Sequence, residues 1–257
     1  MRRDAADART RPPVLFLTGS GLTAGVGLRT ISELDPRFDV IAAPATTEDS
    51  LAALDTAGAE QAHVVGLSFG ATVAQEIAIR HPDRVRSLVL GSSTAGGELY
   101  AAPEPTVPEF LRRLVELPAE EGLWASVPYL YAPSARRRNA LLIGEDIARR
   151  LREPPDRDTY RRQLVAARAH DTAARLTEIT APTLVIHGQE DRILPLENGR
   201  RLAQAIAGAR FVPLPGAAHA FPTDVPKVNR DLVSFLLEHS SRRRGSAARR
   251  TGRATRA

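Results

Sequence analysis

Six short aliphatic and β-branched runs recur along the chain: VLFL (14–17), FDVIAA (38–43), AHVVGL (62–67), RSLVLG (86–91), TLVIHG (183–188) and ARFVPL (209–214). Amphipathic segments lie between several of them, at 28–34, 48–57, 71–81, 196–206 and 225–239. Short apolar runs of this kind read as strands buried on both faces, because a strand with one wet face would alternate polar and apolar residues. Buried strands alternating with helices pack as a mostly parallel, doubly wound α/β sheet with helices on both faces. The alternation breaks once. Between Gly91 and Thr183 there is no convincing strand, but helical patterns fall at 108–117, 119–126, 135–152, 156–170 and 171–176, punctuated by prolines. A helical cap inserted after the strand ending near Gly91 is the simplest account. The predicted organisation is an N-terminal arm (1–13), an α/β core (14–96 and 179–240), a helical cap (97–178) and a basic, disordered tail (241–257).

The net charge of +5 invites a nucleic-acid reading, but its location argues otherwise. Seven arginines and no acid lie from Arg242 onward, and without them the body carries 28 basic against 30 acidic residues. The excess belongs to a tail with no apolar periodicity, which reads as a solvated extension. No nucleic-acid or membrane partner is expected, only a small-molecule substrate. Cysteine is absent, which excludes disulfides and thiolate metal sites. The apolar run near the N-terminus is too short for a signal sequence, so a soluble cytoplasmic protein is expected.

The segment HVVGLSFGATVAQEIAIRHP places Ser68 between Gly66 and Gly70 where a buried run gives way to a helical pattern. A chain that turns at once from strand to helix strains its central residue and leaves room only for small side chains two positions away. That context separates a nucleophile elbow from a serine helix cap at a glycine turn. A serine hydroxyl needs a base to take its proton and an acid to orient that base. Asp191 follows the run TLVIHG and His219 follows ARFVPL, so in a parallel sheet both would reach the strand-end edge that Ser68 occupies. His187 is the competing base, though placed inside a strand. His63 stands before a strand at the far edge, His81 at a helix C-terminus, and His170 and His239 on expected surfaces. For the acid, Glu190 and Glu98 rank behind Asp191. Donors for an oxyanion are the backbone N–H groups of Phe69, opening the helix, and Ser20, in the loop Thr18-Gly19-Ser20-Gly21 after the first strand.

With these residues in place, the chain resembles serine-dependent α/β-hydrolases of the esterase, lactonase, C–C hydrolase and cofactor-free haloperoxidase group. The resemblance rests on GLSFG with its helix, PTLVIHGQEDRILP and FVPLPGAAHAF, in that order, and spans Val14 to about His239. It implies an α/β-hydrolase fold with Ser68 as nucleophile, Asp191 as acid, His219 as base, and Ser20 and Phe69 as oxyanion donors. GLSFG and GAAHAF look somewhat like the matching segments of enol-lactonases. Two differences stand out: Thr18-Gly19 occupies a turn where His-Gly is common, and an Asp-x-Arg-Gly-x-Gly-x-Ser turn usual after FDVIAAP is missing. Serine at the elbow argues against the branches that use aspartate there. The implied activity is hydrolysis of a small ester or lactone through an acyl-enzyme, with no metal or cofactor. The alternatives are a haloperoxidase or perhydrolase activity using the same residues, or a ligand-binding protein without turnover. Phe110, Trp124, Tyr129 and Tyr131 of the cap are candidates to line the substrate pocket, or else to pack cap on core.

Overall fold

The computed structural model describes residues 11–21, 30, 34, 36–43, 46–114, 116–154 and 156–240. The tail from 241, the first ten residues, Pro44 and most of the expected helical segment 28–34 lie outside the described residues. Strands β1 (Pro13–Leu17), β2 (Asp39–Ala43), β3 (Ala62–Leu67), β4 (Val85–Gly91), β5 (Thr183–Gly188) and β6 (Arg210–Leu214) form one sheet. They pair in the order β2-β1-β3-β4-β5-β6, and every neighbouring pair is parallel.

The two-residue period of the strands sorts their side chains onto two apolar layers. Leu15, Leu17, Val64, Leu88, Leu90 and Val185 point to one, Val14, Phe16, Val65, Val89, Leu184 and Ile186 to the other. The first layer packs under helices α1 (Thr47–Thr56), α2 (Phe69–Arg80) and α8 (Leu196–Ala205), through Leu54, Ile77 and Leu202 among others. The second packs against α10 (Val228–Ser240), through Leu232, Val233, Phe235 and Leu236. Each such aliphatic side chain contributes about 1.5–3 kcal/mol when fully buried, so a doubly covered sheet makes a stiff base for whatever its strand ends carry.

Between β4 and β5 the described residues are helical: α3 (Thr106–Leu114), α4 (Ala119–Leu130), α5 (Pro133–Arg138), α6 (Ala140–Arg152), α7 (Arg157–Ala169) and a 3-10 segment over Ala173–Glu178. Three boundaries differ from those the sequence suggests. The segment 135–152 is split at Asn139, whose side-chain amide donates to the carbonyls of Thr223 and Asp224 at 3.0 and 2.8 Å and so pins the break to the core. Helix α4 runs on through Pro128 to Leu130, its last turn closed by the Tyr131 N–H on the Val127 carbonyl at 3.1 Å. The expected helix 225–239 starts later, at Val228. Pro226 disfavours helical geometry in Val225, and a separate turn, α9 (Phe221–Asp224), precedes it. Among the described residues no helix is long and apolar enough to cross a membrane.

From β1 the chain goes outward to β2 and then returns to β3 on the other side of β1. This reversal of direction opens a crevice beyond the carboxyl ends of β1 and β3, where open α/β sheets collect ligands. Ser68 and the loop Thr18–Gly21 stand at those two ends.

Candidate active site

Ser68 joins β3 to α2 with φ 54° and ψ −119°, a conformation that costs a non-glycine residue about 1–3 kcal/mol. The surroundings fix it. Its N–H donates to the Gly91 carbonyl at 2.8 Å, and its carbonyl accepts from the Ala71 N–H at 3.0 Å. A Cβ on Gly66 would lie 2.5 Å from the Gly70 carbonyl oxygen, and one on Gly70 would collide with the Leu17 carbonyl and lie 2.6 Å from the Thr18 oxygen. Both glycines are therefore required by close backbone approach, as the strand-to-helix turn demands.

His219, in the loop after β6, places Nε2 2.9 Å from Ser68 Oγ and Nδ1 2.8 Å from Asp191 Oδ2. A carboxylate accepts, so Nδ1 carries the hydrogen, Nε2 is the acceptor, and the serine hydroxyl donates to it. Asp191 is buried and fully bonded: Oδ1 accepts from the Ile193 and Leu194 N–H groups, each at 2.9 Å. Burial alone would raise its pKa, but the two histidines facing the carboxylate, His219 foremost, outweigh it and hold the group well below the usual carboxylate range. Glu190 and Glu98 are both exposed.

Sequence reasoning treated His187 only as a rival to His219. Instead it faces the acid: fully buried in β5, it donates from Nε2 to the Leu194 carbonyl at 2.8 Å, with the same nitrogen 3.3 Å from Asp191 Oδ2. His63 lies inside β3, not before it. It is buried, bonded to Ser87 and Ser240, and its pKa is lowered to about 3, chiefly by burial. His170 is half-buried beside Gln75 and Thr172, not on an open surface as expected, and burial lowers its pKa.

One candidate oxyanion donor adjoins the serine in the chain, and the other follows the strand paired with β3. Phe69 opens α2, so its N–H has no acceptor within the helix and lies at the positive end of the helix dipole. Ser20 lies in the loop after β1. The next N–H of that loop, Gly21, is already taken, donating to Gln163 Oε1 of α7 at 2.8 Å, and the Tyr160 ring lies against the same glycine. No signal in the sequence ties residues so far apart.

Two further residues hold the histidine loop, and neither carried a sequence signal. Ser92, at the end of β4, has φ 45° and donates from Oγ to the His219 carbonyl at 3.0 Å. Asp224 Oδ2 accepts from the Ala218 N–H at 2.7 Å and the Ala132 N–H at 3.0 Å, tying that loop to the start of α5. Burial pushes its pKa up to about 6, with the Glu190 charge adding and the two N–H donors opposing.

The four expected pocket residues fall in different surroundings. Trp124 is 54% exposed on α4. Phe110 and Tyr129 stack on each other with centroids 4.0 Å apart, and the Arg192 guanidinium lies over Tyr129 at 4.9 Å. Only Tyr131 is fully buried, packed with Ile143, Ile147 and Ala220. Among the described residues no group of three or more His, Asp or Glu side chains is arranged to hold a metal.

A parallel six-stranded sheet with a strained serine beyond one strand, and a histidine and an aspartate reaching it from two others, defines a class. The chain belongs to the alpha/beta hydrolase fold family, which it matches over residues 35–224. A protein of Azorhizobium caulinodans named carbamate hydrolase RutD is 29% identical over 253 residues, covering 88% of this chain and 91% of that protein. The 2-hydroxy-6-oxononadienedioate/2-hydroxy-6-oxononatrienedioate hydrolase of Paraburkholderia phymatum is 32% identical over 187 residues, 71% of this chain and 65% of that one. A thermophilic esterase from Thermogutta terrifontis has a similar structure, with TM-score 0.72 and 28% identity over 90% of this chain and 91% of that one. These likenesses support a hydrolase acting on small molecules.

Proposed function

We propose that this chain is a serine hydrolase that opens a small-molecule ester or lactone through an acyl-enzyme. The observation that carries the reading is the unbroken relay from Ser68 Oγ through His219 to Asp191, with both contacts under 3 Å. In the first step the Ser68 proton passes to His219 Nε2 as Oγ attacks the carbonyl carbon. Asp191 keeps Nδ1 protonated and stabilises the imidazolium. The oxygen that gains charge meets the N–H groups of Phe69 and Ser20, each such donor being worth about 3 kcal/mol in the transition state. Collapse of the tetrahedral centre breaks the bond to the alkoxy oxygen, which takes the proton from His219 and leaves as the alcohol. In a lactone that alcohol stays tethered to the acyl chain. Water then gives a proton to His219 and attacks the acyl-enzyme, and collapse of that second tetrahedral centre releases the acid as His219 returns the proton to Ser68 Oγ. The esterase likeness favours carboxylic ester chemistry.

The test is covalent labelling by a fluorophosphonate, together with turnover of p-nitrophenyl butyrate and a set of simple lactones. Wild type should label at Ser68 and hydrolyse at least one of these. Ser68→Ala should do neither, with a loss of roughly 10⁴ or more in kcat. Equal labelling of the two proteins would overturn the assignment.

A further inference from the structure

The loop that carries one oxyanion donor is held from outside the sheet. The ladder of β1 ends at Leu17, which pairs with Ala43 of β2 and Gly66 of β3, so Gly19, Ser20 and Gly21 lie beyond it. They stay close to the nucleophile. Gly70, in the first turn of α2, approaches the end of β1 so closely that a Cβ on it would lie 2.6 Å from the Thr18 carbonyl oxygen. Ser20, two residues on, stands between two glycines, and glycine lets its peptide planes turn at little cost. An oxyanion donor has to be aimed before the charge appears, so a loop of this composition needs a brace.

Helix α7 supplies one. Tyr160, Gln163, Ala167 and the capping His170 follow one another at spacings of three and four residues, and so share a face. Gln163 Oε1 accepts from the Gly21 N–H at 2.8 Å, and the Tyr160 ring would lie 2.8 Å from a Cβ on that glycine. Ala167 packs on the first apolar layer of the core. Just past the end of α7, the Thr172 hydroxyl donates to Gln75 Oε1 at 2.7 Å, and His170 Nε2 lies 3.4 Å from the same oxygen. Gln75 is fully buried in α2, the helix that Phe69 opens, and its amide also donates to the Thr94 carbonyl at 3.1 Å, where the chain leaves for the cap. The C-terminal end of α7 is thus tied to the helix that carries one oxyanion donor, while its N-terminal half grips the loop that carries the other. No side chain of α7 is fully buried, which gives these specific contacts a large share in placing it.

We propose that Gln163 is a positioning residue for the oxyanion hole: by fixing the peptide plane between Ser20 and Gly21 it aims the neighbouring Ser20 N–H at the substrate oxygen, so the hole is complete only with α7 docked. This rests on the hydrolase reading above and adds a residue of the cap to its machinery. The bond is made to a backbone N–H, so what position 163 must provide is an acceptor of the right reach.

The experiment compares wild type with Gln163→Leu, which keeps the bulk and removes the acceptor, on the ester or lactone that wild type turns over best. Removing an aimed donor outright costs about 10²- to 10³-fold, and loosening one costs part of that, so kcat should fall about 10- to 100-fold with KM changed less than about 3-fold. The Ki of an aryl trifluoromethyl ketone, which adds to the serine as a hemiketal oxyanion, should rise by the same factor. Tm should stay within about 2 °C, because the side chain is only half-buried. Val165→Ala, at a position of α7 that is 67% exposed, should change none of these. Hydrogen exchange at the Gly21 amide, read by NMR, tests the contact without turnover and should quicken in Gln163→Leu. Unchanged exchange, or quickened exchange with kcat and Ki as in wild type, overturns the inference and leaves the hydrolase reading intact. A marked fall in Tm with the ketone bound as tightly as before overturns it in favour of a structural glutamine. A wild-type protein that neither labels at Ser68 nor turns over any substrate ends the hydrolase reading and this inference together.

Discussion

Asp191→Asn is the substitution whose outcome the geometry fixes most tightly. Asp191 Oδ1 accepts two backbone N–H groups, from Ile193 and Leu194, while Oδ2 faces His219 Nδ1. An asparagine must put its single oxygen toward one set or the other. With the oxygen on the backbone pair, its NH2 faces His219 Nδ1, which must then accept, so the ring hydrogen moves to Nε2 and points at Ser68 Oγ. The base is thereby lost. Turning the amide over restores the tautomer but strands two buried N–H groups, at about 1–3 kcal/mol each. The competent form is thus disfavoured by roughly 2–6 kcal/mol, a loss of about 30-fold to 10⁴-fold in kcat/KM. The fold should persist, because the inactive orientation keeps both backbone bonds. The assay is kcat/KM on the best p-nitrophenyl ester or lactone, alongside fluorophosphonate labelling rate and thermal unfolding. A folded Asp191→Asn protein with more than about a third of wild-type turnover would refute the reasoning, since it would mean that His219 is oriented by another acid.

Gly70→Ala should destabilise the protein by about 1–3 kcal/mol and slow labelling of Ser68, because the atoms in the way are backbone carbonyls of a buried strand. Urea unfolding measures the first effect, and an unchanged midpoint would mean that the helix does not approach β1 as closely as described. Asp224 should make stability depend on pH. Its folded pKa of about 6 lies above the 3.8 of the free group, so between those values the folded state holds a proton the unfolded chain has lost. Stability should therefore fall as pH rises from about 4 to 6 and level off above. Asp191, with its lowered pKa, acts in the opposite sense, its contribution being lost on acidification. The difference in Tm between wild type and Asp224→Asn across this range isolates Asp224, and a difference independent of pH would show that its carboxyl does not titrate there.

The sheet is legible in the sequence because its inner strands are buried on both faces, which leaves runs of apolar residues with sharp ends, while the edge strands β2 and β6 keep exposed residues. VLFL, AHVVGL and TLVIHG fall in β1, β3 and β5 with shifts of no more than one residue. Ser68, Asp191 and His219 were legible for a related reason: parallel strands send their following loops to one edge, so residues distant in sequence could be assigned to one neighbourhood. Helix ends were less legible where a tertiary bond decides them, as Asn139 does by reaching the carbonyls of α9. The exposure of Trp124 was not legible, because amphipathic spacing in a helix does not say which aromatic faces out. His187 is packed inside its strand, as its position in TLVIHG suggests, but burial within a strand does not reveal that the loop after it curls back to bring Asp191 alongside.

Ser68 and Ser92 are the non-glycine residues at positive φ among those described, and they sit beyond adjacent strands. Both grip His219, Ser68 at the ring nitrogen and Ser92 at the backbone carbonyl. Strain of about 1–3 kcal/mol at each persists only where the neighbours over-determine the backbone. Here β3 and β4 supply that, since the Ser68 N–H bonds to Gly91 at the end of β4 and the Ser92 N–H bonds to Ile186 in β5. The ladder of the sheet thus continues one residue past each strand, into the residues that bear the load. An imidazole held at ring and backbone by two such residues loses little further freedom when a proton moves. A flexible loop bearing the same three side chains would have to be ordered in every turnover, so the strained pair converts the rigidity of the core into alignment at the serine.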